Sequence, residues 1–235
     1  MVRIRELMAA VRKRFPDDVF FTSGEDSLLG KLDHYKTYDA ALMCLDDGSW
    51  NILKEKAIQN FPAERKGQTK QPFFNLLNEA FAYQYLLRKG LKNVRFMKED
   101  GIIKTPDISY VEQEMKYCEV KSIGISDDEI KRRYGHDLDG QDFDVPDFYR
   151  LDFFDGKAHT RLSDGFLNKL LIDVNDAREQ IAAVKGTGIV FVLARFDDFT
   201  RDYIETYRAQ LRKFCDAEKD VVLKLEYMGN DIIGS

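Results

Sequence analysis

The sequence predicts an α/β protein with a mixed central sheet flanked by helices, and three parts of it carry that prediction. Residues 73–89 repeat apolar side chains at helical spacing and are followed by a glycine, which is typical of a helix end. Residues 107–111 and 115–123 have the composition of strands and are joined by a charged turn. Residues 187–196 are almost continuously apolar, as in a buried central strand.

From residue 73 onward the predicted order is helix, three strands, helix, strand, helix and strand, which is typical of a sheet packed between helices. The other predicted elements are helices over 3–14, 50–59, 165–185 and 200–217, and strands over 38–46, 93–98 and 221–228. No internal repeat interrupts this order. The pattern therefore indicates one main folded core.

The domain organisation is predicted from changes in composition. A polar, proline-bounded linker at 61–72 indicates a boundary between a small N-terminal helical and strand extension, 1–65, and a core, 66–235. Residues 124–160 hold ten acidic residues against five Lys and Arg, so we interpret them as an insertion into the core. The Asp-Gly pair at 155–156 predicts a tight hairpin turn within that insertion.

The composition is that of a soluble globular protein, with 44% apolar and 33% charged residues in a chain of 235. No stretch approaches the ~18 consecutive apolar residues that cross a bilayer, so no membrane partner is expected. The N-terminal residues lack the features of a secretion signal, and three scattered cysteines fit a reducing cytosol, which predicts a cytoplasmic protein. Without a CxxC pair, and with three histidines that have no ligand at metal-binding spacing, a structural zinc site is not expected.

Charge and motifs narrow the function classes. The net charge of −5 counts against nucleic-acid binding, because phosphate contacts favour a basic surface. Basic residues nevertheless gather in two clusters, Arg3, Arg5, Arg12, Lys13 and Arg14, and Lys54, Lys56, Arg65, Lys66 and Lys70. A solvated face and a phosphate-tracking surface explain these clusters equally well. No phosphate-binding loop, GxSxG motif or helix-opening GxGxxG supports nucleotide hydrolase, esterase or dinucleotide-binding functions.

The strand over 115–123 contains an unusual charged pair. Strand side chains alternate, so Glu119 and Lys121 point to the same face, and neither charge is buried cheaply alone. Positions i and i+2 are poorly placed for a close salt bridge, so a divalent cation beside the carboxylate is the better explanation. Asp107, at the head of the preceding strand, is the natural second ligand, because a hairpin brings these two positions side by side.

Pro106-Asp107 followed by Glu119-Val120-Lys121 resembles the PD-(D/E)xK nuclease superfamily. The resemblance implies a restriction-endonuclease-like three-layer core over about half the chain. It implies that Asp107, Glu119 and the backbone carbonyl of Val120 hold Mg²⁺, for which Mn²⁺ substitutes, and that Lys121 positions the attacking water. An acidic residue of the first core helix often joins such a site, and Glu79 has that place here. A carboxylate among the apolar neighbours of Glu79 is costly unless a cation meets it.

The surroundings of the motif, rather than its letters, select Glu119. A (D/E)xK triplet also begins at Glu64, Glu114, Glu129 and Asp155. The triplet at Glu114 follows Asp107 too closely for two strands and a turn, and the others lie in a polar linker, a charge run and a hairpin tip. Only Glu119 combines a preceding Pro-Asp with an apolar strand.

The helix over 165–185 offers Gln180, Lys169 and Arg178 as further polar residues. Glutamine or lysine from this helix lies near the site in some members of the superfamily. We nevertheless expect all three side chains to be solvated, because that is the ordinary state of polar residues on an amphipathic helix.

The predicted function is magnesium-dependent phosphodiester hydrolysis, with DNA rather than RNA as the substrate of an endonuclease in restriction, repair or mobile-element biology. A homodimer would suit double-strand cutting. Two other classes stay open. One is a nuclease-like fold that binds nucleic acid as a recognition subunit without cleaving it, and the other is an interaction protein without a nucleic-acid partner.

Overall fold

The computed structural model describes residues 1–21, 31–63, 70–98, 104–123, 161–162, 164–194, 204–225 and 232–234. Its helices are α1 (Arg3–Arg14), α2 (Leu32–Leu42), α3 (Asp47–Asn60), α4 (Gln71–Arg88), α5 (Asp164–Ala183) and α6 (Ile204–Ala217). Its strands are β1 (Lys92–Phe96), β2 (Ile108–Val111), β3 (Met115–Ile123), β4 (Gly188–Ala194), β5 (Val221–Leu225) and β6 (Ile232–Ile233). The predicted hairpin turn at 155–156 lies outside the described residues.

The mixed α/β class is confirmed. The six strands form one mixed sheet in the order β1-β2-β3-β4-β5-β6. β1, β2 and β3 are an antiparallel meander, in which Ile108 lies opposite Cys118 and Val111 opposite Met115. The order of elements from α4 to β5 is the predicted one, and β6 was not predicted because two residues carry no periodic signal.

The predicted strand over 38–46 is wrong, because the first five of those residues belong to α2. The buried side chains of α2 include Tyr35, Tyr38, Ala41 and Leu42, which recur at the spacing of three and four that defines one face of a helix. High apolar density over nine residues is common to a buried strand and a buried helix, and the helical period is visible only over the longer stretch that begins at residue 32.

By contacts the chain divides into two compact units, Met1–Ser122 with Val174–Phe191, and Ile123–Asp173 with Val192–Ser235. The first unit therefore includes residues on both sides of the boundary predicted near residue 65. In the second unit, α6 packs on β5 and β6 with Tyr207, Leu211 and Cys215 buried.

α4 is the central helix of the first unit. Eleven of its residues are buried. Gly90, with φ +75°, adopts the left-handed conformation with which the chain leaves the helix. α2 and α3 both pack against it. Its first turn meets an aromatic cluster, in which Phe61 stacks on Phe21 and Phe73 lies edge-on to Phe61. These contacts fix α3 beside α4, which matters for the site.

The N-terminal helices are held by specific polar contacts. Asp39 of α2 accepts hydrogen bonds from the backbone amides of Val2 and Ile4 at 2.9 and 3.0 Å, so it satisfies amides at the start of α1. Asp46 caps α3 by accepting from the amide of Ser49 at 2.6 Å. Among the described residues, no helix is long and apolar enough to cross a bilayer.

Candidate metal and phosphate site

The hairpin of β2 and β3 places Asp107 against Glu119, as the spacing of the two residues suggested. Oδ2 of Asp107 accepts a hydrogen bond from the backbone amide of Val120 at 2.9 Å. The amide of Asp107 donates in turn to Oε2 of Glu119 at 3.3 Å. Pro106, which has no amide hydrogen, is buried two residues before the start of β2. Both carboxylates therefore lie at one end of the hairpin, held by backbone groups.

Val120 takes part through its amide, which orients the Asp107 carboxylate. The role that the family resemblance implies for the Val120 carbonyl, as a metal ligand, stays a prediction. Cys118, on the opposite face of β3, is fully buried, and burial raises the pKa of its thiol well above the usual range. The thiol therefore stays protonated and is not a nucleophile of this site.

Lys121 forms a direct ion pair with Glu119, with Nζ 2.9 Å from Oε1. The expectation that positions i and i+2 are poorly placed for a close salt bridge was therefore wrong. Both side chains are long enough to bend together on the same face of β3. Because the Glu119 side chain is only 6% exposed and that of Lys121 20%, the pair lies in a largely dehydrated environment.

Glu79 of α4 is linked to the hairpin through a residue that the motif does not contain. Nζ of Lys56, from α3, lies 3.8 Å from Oε2 of Glu79 and 3.7 Å from Oδ1 of Asp107. The Glu79 side chain is 7% exposed, so it is a buried carboxylate on an apolar helix. The cation that meets Glu79 in this structure is thus an ammonium group.

Gln180 of α5 also reaches the site, so the expectation of a solvated side chain was wrong. With the amide oriented to satisfy both partners, its nitrogen donates to Oε1 of Glu119 at 2.5 Å and its oxygen accepts from Nζ of Lys121 at 3.0 Å. The amide therefore bridges the ion pair and holds both groups in place. Lys169 and Arg178 are instead bonded to neighbours on their own helix, Asp173 and Asn175.

Burial and mutual repulsion shift the acidity of the two hairpin carboxyls. Burial, together with the nearby Asp107 carboxylate, raises the pKa of Glu119 to about 8, although Lys121 opposes the shift. Burial likewise raises the pKa of Asp107, against the attraction of Lys56 and the hydrogen bond from Val120. Ionising both carboxyls is therefore unfavourable, because two negative charges would lie close together in a buried place. A divalent cation bound between them would neutralise that repulsion.

The donor set suits a hard cation. Magnesium takes oxygen ligands and commonly uses one or two carboxylates, completing its shell with water and substrate phosphate. Asp107 and Glu119 supply such a pair. Within the parts of the chain that the structure describes, no three His, Cys, Asp or Glu side chains are gathered as a metal site by themselves.

The two basic clusters of the sequence contain residues that are bonded to other parts of the protein and residues that are exposed. Arg3 donates to the carbonyls of Leu42 and Leu45, Lys54 pairs with Glu6, and Lys70 is buried against Asp18. These residues hold the helices together. The exposed members among the described residues are Arg5, Arg12, Lys13 and Arg14 of α1. Arg65 and Lys66 lie outside the described residues.

In comparisons with known proteins, no family model, curated protein or solved structure matches this chain. The resemblance to the nuclease superfamily therefore depends on the hairpin residues and their arrangement alone.

The raised acidity predicts how stability varies with pH. In the absence of divalent cations, the free energy of unfolding should fall as the pH rises from about 4.5 to about 8, because folded Glu119 binds its proton more tightly than the unfolded chain does. One such group contributes a slope of at most about 1.4 kcal/mol per pH unit. Denaturant unfolding in EDTA at pH 5, 6.5 and 8 measures this slope. Glu119→Gln should flatten it, and an unchanged slope in that variant would contradict the assignment.

Proposed function

We propose that this protein is a magnesium-dependent nuclease of the PD-(D/E)xK type that hydrolyses phosphodiester bonds in DNA. The observation that carries the proposal is the hairpin cluster, in which the Val120 amide fixes Asp107, and Lys121 is paired with Glu119 at 2.9 Å. An arrangement of two acids and an amine at one end of a hairpin is the arrangement that the superfamily motif implies.

The proposed roles follow from the chemistry of each side chain. Asp107 and Glu119 would supply oxygen ligands, with Glu79 on the α4 side and the Val120 carbonyl as further candidates. Bound Mg²⁺ would polarise a phosphoryl oxygen and lower the pKa of a bound water. Lys121 would orient the attacking water and offset negative charge on the phosphorus in the transition state. Gln180, bonded to both Glu119 and Lys121, would limit the freedom of the two groups that it touches.

A cleavage assay with the full chain tests the proposal. Supercoiled plasmid, linear duplex, single-stranded DNA and RNA are each incubated with the protein in Mg²⁺, in Mn²⁺ and in EDTA. We expect cleavage of at least one DNA substrate in Mg²⁺ and none in EDTA. Cleavage that persists in EDTA, or the absence of cleavage with both cations on every substrate, would contradict the proposal.

The net charge of −5 favours a second candidate, an interaction protein that does not contact nucleic acid. Salt dependence separates the two. A DNA-binding protein releases counterions from the phosphates, so its affinity for DNA falls steeply between 50 and 200 mM salt. Fluorescence anisotropy with labelled duplex in Ca²⁺ measures this, and an absence of salt-dependent binding would favour the second candidate.

A further inference from the structure

The site contains a cation of its own that the nuclease motif does not include. Lys56 comes from α3, and its ammonium lies between Oδ1 of Asp107 and Oε2 of Glu79 at 3.7 and 3.8 Å. Its side chain is 18% exposed, against 7% for Glu79 and 15% for Asp107. The ammonium is therefore within ion-pair distance of two carboxylates, and all three side chains are largely enclosed.

The fold keeps Lys56 in this position. Leu53 and Ala57, which flank Lys56 on α3, are fully buried, and α3 packs along α4, the helix that carries Glu79. The start of α3 is fixed by its Asp46 cap. The backbone that carries Lys56 is therefore held in place, and displacing the ammonium requires only a change in the long lysine side chain.

The same carboxylate oxygens would be needed by a divalent ion. A metal bound to Asp107 would place two positive charges within a few ångströms of the lysine ammonium, and like charges at that separation repel strongly in a partly buried site. Lys56 and the metal therefore compete for Asp107. Lys121 pairs with Glu119 and with Gln180 rather than with Asp107, so the competition for Asp107 concerns Lys56.

We propose that the Lys56 ammonium supplies the positive charge beside Asp107 and Glu79 when no metal is bound, and that a divalent cation binds Asp107 by displacing this ammonium. The inference rests on the proposed function, because it takes Asp107 as a metal ligand. Lys56 is then a positioning residue that sets the cation affinity of the site.

The inference predicts that removing the lysine charge tightens cation binding. Mn²⁺ binding to the full chain, without DNA, is measured from the loss of the free-ion electron paramagnetic resonance signal. Lys56→Gln should bind Mn²⁺ about tenfold more tightly than the wild-type protein, a coupling of ordinary size between two ligands of one site. Lys56→Arg keeps the charge and should retain an affinity close to wild type.

Lys54→Gln is the matched control, because Lys54 lies on the same helix and pairs with Glu6 at 2.8 Å rather than with the site. It should leave the Mn²⁺ affinity unchanged. Asp107→Asn tests the metal site itself and should abolish binding. If the wild-type chain binds Mn²⁺ no better than Asp107→Asn, the proposed function and this inference both fail. If Asp107→Asn alone loses binding while Lys56→Gln binds no more tightly than wild type, only this inference fails.

A measurement on the wild-type chain covers the case in which Lys56→Gln does not fold. Acetylation by a small amine-reactive reagent, followed by peptide mass spectrometry, reports how freely each lysine ammonium is exposed. Added Mn²⁺ should raise the rate of acetylation at Lys56 several-fold and leave that at Lys54 unchanged. An unchanged or lowered rate at Lys56, under conditions in which Mn²⁺ is bound, would overturn the inference.

Discussion

Replacing Glu119 by glutamine is expected to abolish magnesium-dependent DNA cleavage while the protein stays folded. The glutamine loses the anionic oxygen that a hard cation needs, and the loss of several kcal/mol of transition-state stabilisation corresponds to a rate reduction of about 1,000-fold or more. Initial cleavage rates at saturating Mg²⁺, together with Mn²⁺ affinity, measure the effect. Both activity and cation binding should be lost.

The fold should survive Glu119→Gln because the carboxylate is costly to the metal-free protein. Burial raises the pKa of Glu119, so a neutral amide of the same size should keep or increase the melting temperature at pH 8. Glu114→Gln is the matched control, because Glu114 begins a decoy triplet and is exposed in the turn before β3. Wild-type cleavage by Glu119→Gln, or an equal loss in Glu114→Gln, would contradict the assignment.

Replacing Lys121 by glutamine should reduce the cleavage rate by about 100- to 10,000-fold, which is the usual contribution of a side chain that positions or activates a nucleophile. Cation binding should persist in this variant, because Asp107 and Glu119 remain. This separates the role of Lys121 from that of Glu119. The measurement is kcat for cleavage at saturating Mg²⁺, with Mn²⁺ affinity determined on the same preparation.

Lys116→Gln provides the control for Lys121→Gln. Lys116 lies on the same strand and pairs with Glu112 at 2.6 Å, away from the hairpin carboxylates. Its substitution should leave the cleavage rate within about twofold of wild type, since surface ion pairs contribute little. Loss of Mn²⁺ binding in Lys121→Gln would show that the lysine acts on the metal site rather than on the water, and retention of full activity would remove it from the mechanism.

Sequence patterns predicted the elements whose signal is long or regular. α4 has helical periodicity over its whole length, and β4 is a continuous apolar run, so both were found within a few residues of their ends. The prediction for 38–46 was wrong because a short apolar stretch does not distinguish a buried helix from a strand. β6 was not predicted because two residues are too few to show a repeating pattern.

The sequence predicted the part of the site that lies within one hairpin. It did not predict the residues that reach the site from helices distant in the chain. Asp107 and Glu119 belong to one hairpin, and the antiparallel register, with Ile108 opposite Cys118, brings the two residues side by side. Lys56 and Gln180 lie on α3 and α5. In the sequence, each resembles an ordinary polar residue on the surface of a helix. Lys56 follows buried Leu53 and precedes buried Ala57, which places it at the edge of an apolar stripe, but that signal does not name its partner.

The hairpin that joins Asp107 to Val120 across 13 residues has a bearing on how the chain folds. Local contacts of this kind form quickly, whereas α3 and α5 must be recruited from distant parts of the chain, and closing long loops is slow. During synthesis, α3 leaves the ribosome first, the hairpin with its acidic pair next, and α5 after both. Gln180 would therefore join the cluster only after α5 has emerged, so the complete cluster would form late in the synthesis of the chain.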